Sequence, residues 1–443
     1  MQVIQWIVNL GASVFLPILL FIFGLILGIK PGKAFKSGLT VGIGFIGLNL
    51  VINLLTTSLG PATKLMIKNY GLHLASIDIG WPAASAIAYG TALGAMAIPI
   101  GVVVNLILLL VGLTKTLDVD IWNYWHVAFA GSVLYMLTGN IWLGIFSMII
   151  VTMFTYFFAD LSAPTVEKYY GLEGISFPHG LSAPGYVFAL PFNWLFDHIP
   201  GFNKIHLNAE TIQKRLGVFG DTTVIGALIG LVIGLLAKLD IAKTLNLAIS
   251  MGAVMMLMPR MVSLLMEGLT PISEGANKMI KKRFPGKKLY IGMDSALAIG
   301  QESVLSAALL LVPITLLLAV ILPGNKVLPF GDLATLPYFI ALFAAVFRGD
   351  ILRTVIAGAV DISISLYIAT WAAPLITKLA KAANFDMGNN SSISALSDGG
   401  LWTNWIYLML GEKMQWVGLI ILFVIALGLL FWLNKGRKTS KAE

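Results

Sequence analysis

The chain has 443 residues, 58% of them hydrophobic and only 11% charged, with a formal net charge of +8 and no cysteine. A soluble globular protein carries about 25% charged residues, so the composition excludes that class and indicates an integral membrane protein. It also excludes disulfides, cysteine–metal sites and a phosphocysteine on this chain, and the basic excess reads as cytoplasmic loops rather than nucleic-acid binding.

Several apolar runs of about 20 residues exclude a single anchor, and they lack the alternation of barrel strands. The first run, Val3 to Ile29, is too long for a cleavable signal peptide and has no basic leader. Span one, about residues 4–29, ends at the basic turn Lys30-Pro31-Gly32-Lys33. Span two, about 37–58, holds the run Val41 to Gly47, whose glycines allow close helix approach. Asp78-Ile79-Gly80-Trp81-Pro82 then interrupts an apolar stretch, and span three follows at about 92–113. Lys115 to Trp125 reads as an interfacial segment rich in Trp and Tyr. Shorter spans at about 121–137 and 139–160 turn at Thr138-Gly139-Asn140.

The central stretch, Gly171 to Gly185, is too short and too broken to span a bilayer. It carries Pro178, Pro184 and His179. Irregular backbone at membrane depth survives only inside protein or along a wet cavity, and such interruptions mark transporter sites. Asn203 to Leu216 is polar and falls outside the hydrocarbon. Spans at about 220–237 and 243–266 lead to the most basic loop, Lys278 to Lys288. Ile291-Gly292-Met293-Asp294 opens a second broken stretch that also holds Gln301 and Glu302. Spans at about 305–323, 328–347 and 351–376 follow. A polar loop from Lys378 to Glu412 precedes the last span, about 414–433, and a basic tail, 435–443. The positive-inside rule places the basic loops at 30–36, 278–288 and 435–441 in the cytoplasm. About 11 spans satisfy this if the stretches near 176–196 and 289–304 are re-entrant hairpins. The N-terminus is then outside and the C-terminus inside. No clear sequence repeat is visible, though two structurally similar halves are compatible with such a protein.

A charge at the bilayer centre costs about 2.5–3.5 kcal/mol on insertion scales, so intramembrane polar residues are candidates for function. The candidates are His179, Asp294, His126, Glu302, Gln301 and Asp332. Each has a plainer alternative: Asp332 could cap the next span, and His126 could pack at the interface among Trp122 and Trp125. Glu302 could face a hydrated cavity or pair with a lysine. Asp221 reads as a helix cap. The set suits a polyhydroxyl ligand, because carboxylates accept from hydroxyls and His and Gln serve either way. It suits neither an anion nor a metal, and calls for no cofactor. No P-loop pattern occurs.

Val119-Asp120-Ile121-Trp122-Asn123 with Trp125-His126, Gly171 to Ile175 with Pro178-His179-Gly180, and Leu269-Thr270-Pro271-Ile272 form an ordered series with Pro323 to Thr335. The series resembles the membrane component (enzyme IIC) of the galactitol-specific phosphotransferase system (PTS), over nearly the whole chain. The resemblance implies one all-α enzyme IIC membrane domain over residues 1–443. It implies a permease in the bacterial cytoplasmic membrane that moves a sugar alcohol by alternating access. Phosphorylation would come from a separate enzyme IIB, charged through enzyme IIA, with no covalent chemistry on this chain. Similarity to the ascorbate-specific branch implies a homodimer of about 11 spans and two re-entrant hairpins, with scaffold and core subdomains. It also implies His179, Asp294 and His126 as substrate ligands. The ascorbate branch follows its hairpin His with glutamines, where this chain has Gly180, Leu181 and Ser182. The galactitol pattern has His-Thr where this chain has Gln301-Glu302, which leaves galactitol and related polyols or sugars open. The other function class open at this point is a proton- or sodium-coupled transporter, with Asp294, Asp332 and Glu302 titrating.

Overall fold

The computed structural model describes residues 12–69, 75–91, 93–208, 218, 221–283, 289–329, 331–383, 385, 387 and 391–439. Parts of several expected segments lie outside them: residues 4–11 of the first span, 92, 209–216, 220, 284–288, 384, 386, 388–390 and 440–443. Phe330 lies outside them too.

The chain is mostly helix, as its apolar runs require. In order it forms α1 (Ala12–Ile26), α2 (Pro31–Asn69), β1 (Ser76–Asp78), α3 (Gly80–Gly90), α4 (Ala97–Leu110), β2 (Thr116–Asp118), α5 (Trp125–Thr138), α6 (Ile141–Tyr170), β3 (Ile175–Ser176) and α7 (Ala183–His198). Then follow α8 (Thr222–Leu236), α9 (Ile241–Arg283), β4 (Tyr290–Gly292), α10 (Ala296–Ile299), α11 (Glu302–Ile321) and β5 (Val327–Leu328). The last elements are α12 (Leu336–Val346), α13 (Ile351–Ala382), β6 (Ile393–Ser394), α14 (Leu396–Gly399) and α15 (Trp402–Thr439). Among the described residues, α6, α11, α13 and α15 (its Trp402–Leu433 part) are long and apolar enough to cross a bilayer. Their ends carry ordinary stop and start signals. Asn140 accepts from Trp142 N at the start of α6, and Gly171 closes that helix in a left-handed conformation. Asp221 caps α8, as its sequence position suggested. The α15 helix bends at Gln415, whose φ of 47° lies outside helical space.

Two halves of similar order emerge. Helices α1 and α8 start 210 residues apart, at 12 and 222, as do α2 and α9 (31 and 241) and α6 and α13 (141 and 351). The correspondence extends to details. Asn140 and Asp350 cap α6 and α13, and Pro164 and Pro374 sit at equivalent places within them. Left-handed backbone recurs at Gly139 and Gly349, and at Gly28 and Lys238. Helices α2 and α9 pack along one another, and Gly47 lets Met261 approach, as the glycine run of span two suggested.

Among the described residues, six short strands make two parallel three-stranded sheets, in the orders β5-β1-β6 and β2-β4-β3. Ile77 pairs with Leu328 and Ile393; Ile291 pairs with Leu117 and Ile175. In each sheet the middle strand comes from one half and both outer strands from the other. Buried strand edges must find partners. Asn105 supplies them for β2, accepting from Asp118 N and donating to Thr116 O. Asn325 does so for β5 and Thr377 for β6.

Candidate functional site

The site grows from the ends of the second sheet. Strand β3 runs into Phe177-Pro178-His179-Gly180 before α7 begins, so His179 stands where the chain changes from strand to helix. Its Nδ1 accepts from Ser182 N at 3.3 Å. Its ring stacks on Tyr338, 5.6 Å away at 20°. The neighbouring strand β4 ends two residues before Asp294. Asp294 Oδ1 accepts from Ala296 N at 2.8 Å. His179 Nε2 lies 3.8 Å from Asp294 Oδ1, within ion-pair range but too long for a direct hydrogen bond. The two tips are also joined by Ser182 and Ser295, whose hydroxyls lie 2.7 Å apart.

His126 enters from the first turn of α5. Its ring meets His179 edge-on at 4.9 Å and lies over Trp125 at 4.1 Å. Gly180 makes this approach possible, because a Cβ there would stand 2.6 Å from His126 Cγ. His126 Nδ1 donates to Asp398 Oδ2 at 2.8 Å, and Asn404 holds that carboxylate from its amide, donating to Oδ1 at 3.1 Å. Asp398 is fully buried. Among the described residues, His126 Nε2 is buried without a hydrogen-bond partner.

A layer of acids and tyrosines lies behind. Tyr156 donates to Asp118 Oδ2 at 3.2 Å and meets the Tyr124 hydroxyl at 2.8 Å. Asp120 accepts from Asn123 Nδ2 at 3.2 Å. The sequence placed Lys115 to Trp125 at the interface, but Asp118, Asp120, Tyr124 and Trp125 are buried. In this layer Asp118 is bonded to Tyr156, and Asp120 to Asn123.

Of the six candidate residues, the structure brings His179, Asp294 and His126 together. Asp332 belongs to the other sheet. Its Oδ1 accepts from Trp81 N and Thr335 Oγ1, and its Oδ2 from Ser397 N. Asp78 beside it accepts from Gly80 N, Leu396 N and Asp332 N. These two carboxylates bind the strand ends of the first sheet together and fix the segment that carries Asp398. Gln301 caps α11, accepting from Ser303 N and Val304 N, and Glu302 is exposed on the first turn of that helix. Asp398 was missed. It lies in the stretch 378–412 that reads as a polar loop, and the one signal that could have found it is Ile393-Ser394, echoing Ile175-Ser176 before His179.

The arrangement is a buried set of hydrogen-bonding groups, His179, Asp294, His126 and Asp398, with Tyr338 as an aromatic wall. Neither Arg nor Lys is among the partners named. A family model described as the PTS system sugar-specific permease component matches residues 6–390. The chain belongs to this permease family. It is 40% identical, over 100% of its own length and 98% of the relative's, to the "PTS system galactitol-specific EIIC component" of Escherichia coli strain K12. The same figures hold for the protein of that name in Escherichia coli O157:H7. A "Putative permease IIC component" of strain K12 is also 40% identical, over 97% of the chain and 98% of the relative. The broken segments suit a permease: polar backbone at membrane depth survives only inside protein or along a wet cavity.

Proposed function

We propose that this permease takes up galactitol or a closely related polyol and presents it for phosphorylation. The observation that carries this reading is the buried cluster of His179, Asp294 and the His126–Asp398 pair on broken segments of a PTS permease. Polyol hydroxyls both donate and accept, and this cluster offers both roles without a fixed cation. The 3.8 Å gap between His179 Nε2 and Asp294 Oδ1 has the size a bridging hydroxyl would close. The full-length similarity to galactitol-specific components supports the substrate class.

The chain works as a homodimer of about 11 spans. Segments near 176–196 and 289–304 act as re-entrant hairpins that carry the site from an outward to an inward position. The N-terminus is outside and the C-terminus cytoplasmic. A separate enzyme IIB, charged by enzyme IIA, phosphorylates the polyol, and the anionic ester then fits poorly among Asp294, Asp398 and Asp118.

The test is uptake of radiolabelled galactitol by cells expressing the permease with and without its IIA and IIB partners. Labelled sugar phosphate formed only with the partners is the expected result. Free galactitol accumulating without them would overturn the phosphotransferase reading in favour of ion coupling.

A further inference from the structure

Hydrogen bonding fixes the tautomers of the two adjacent histidines, and fixes them in opposite senses. Ser182 N–H donates to Nδ1 of His179, so that nitrogen is unprotonated and the ring proton sits on Nε2, facing Asp294. His126 is the reverse. Its Nδ1–H donates to the buried Asp398 carboxylate at 2.8 Å, which leaves Nε2 with a bare lone pair. That nitrogen is buried and has no hydrogen-bond partner among the described residues. A buried acceptor without a partner carries an uncompensated desolvation cost, and such groups call for an explanation by function. A hydroxyl within reach of both Nε2 atoms would accept from His179 Nε2–H and donate to His126 Nε2.

We propose that His126, held by Asp398, takes the proton of the polyol hydroxyl as that hydroxyl attacks the phosphoryl group carried by IIB. The inference rests on the phosphotransferase reading above. The hydroxyl oxygen forms the new O–P bond, and the S–P bond of the phosphocysteine breaks. The sulfur leaves with the electron pair as a thiolate, and the hydroxyl proton passes to His126 Nε2. His126 becomes an imidazolium, and Asp398 stabilises that charge through the bond it already makes to Nδ1. Asn404 keeps the carboxylate in place from its side-chain amide. His126 would be a catalytic residue, Asp398 a positioning residue, and His179 the donor that orients the reacting oxygen. The carboxylate behind His126 separates this role from simple recognition: a neutral acceptor suffices to bind a hydroxyl, whereas a base needs its new charge compensated.

The experiment uses membranes containing the full chain, phosphorylated IIB and radiolabelled galactitol. Equilibrium binding is measured without phosphodonor, and the rate of sugar-phosphate formation at saturating galactitol with it. His126→Gln keeps an acceptor but not a base; Asp398→Asn keeps an acceptor for Nδ1–H but removes the charge. Both variants should bind galactitol within about threefold of wild type while kcat falls by about 100-fold, the low end of general-base contributions. The proposal is overturned if kcat is kept, if binding and turnover fall in parallel, or if neither variant inserts, since the pair would then be structural. A wild-type chain that binds galactitol but forms no phosphate with charged IIB would instead overturn the phosphotransferase reading itself.

Discussion

At the scale of single residues, the site depends on what each side chain leaves open after its local bonds are made. His179 uses Nδ1 at the start of α7 and turns Nε2 toward Asp294. Replacing it with Ala should lower galactitol uptake by about 10- to 100-fold, the value of one or two hydrogen bonds to a charged or strongly polar partner. Membrane insertion should be unchanged, because the one backbone bond the ring makes, from Ser182 N at the start of α7, is local; a membrane-fraction blot checks this beside the uptake assay. Asp332 behaves differently. Its carboxylate accepts from Trp81 N, Thr335 Oγ1 and Ser397 N, so Asp332→Ala leaves three donors without an acceptor. A loss of about 3 kcal/mol or more follows, read as faster thermal inactivation in detergent. The sequence showed both as polar residues in Gly/Pro-broken stretches. It could not separate them, because both lie in a segment that opens the backbone and only the three-dimensional donor count differs. Asp398 was invisible for a related reason: a run of Ser, Asn, Gly and Asp reads as solvated loop until its neighbours are known to be buried.

At the scale of elements, the helices were legible and the strands were not. Apolar runs of about 20 residues announce α6, α11, α13 and α15 whatever their surroundings. Strands of two or three residues are shorter than any periodicity test, and they exist only because strands distant in sequence complete them. Their tips are tightly built. Gly180 faces His126 so closely that Gly180→Ala would push a methyl against the imidazole, 2.6 Å from Cγ. Uptake should fall at least about tenfold, since a displacement of about 1 Å in a positioned group costs about that or more. Unchanged uptake in this variant would show that the two histidines need not be adjacent during transport.

At the scale of the molecule, the duplicated plan is plain in the structure and faint in the sequence. The surviving signs are capping residues, a mid-helix proline and positive-φ turns, each of which is set by backbone geometry; the apolar positions have drifted freely because any apolar residue satisfies lipid. Orientation is open to direct measurement. The chain has no cysteine, so a single Cys at Lys33, which is exposed beside the α1–α2 turn, is the sole thiol. It should react with a membrane-impermeant maleimide only in inverted vesicles; labelling of intact spheroplasts would reverse the topology.

The exchange of middle strands between the halves sets a timetable for synthesis. β2 and β3 leave the ribosome with no partner between them, and β4 follows only after the stretch from Ser176 to Tyr290, 114 residues. At about 5–20 residues per second the wait is roughly 6–23 s. Through that interval the nascent permease holds unpaired strand edges and a half-built site beside lipid, so the insertion machinery must shelter them until the second half arrives.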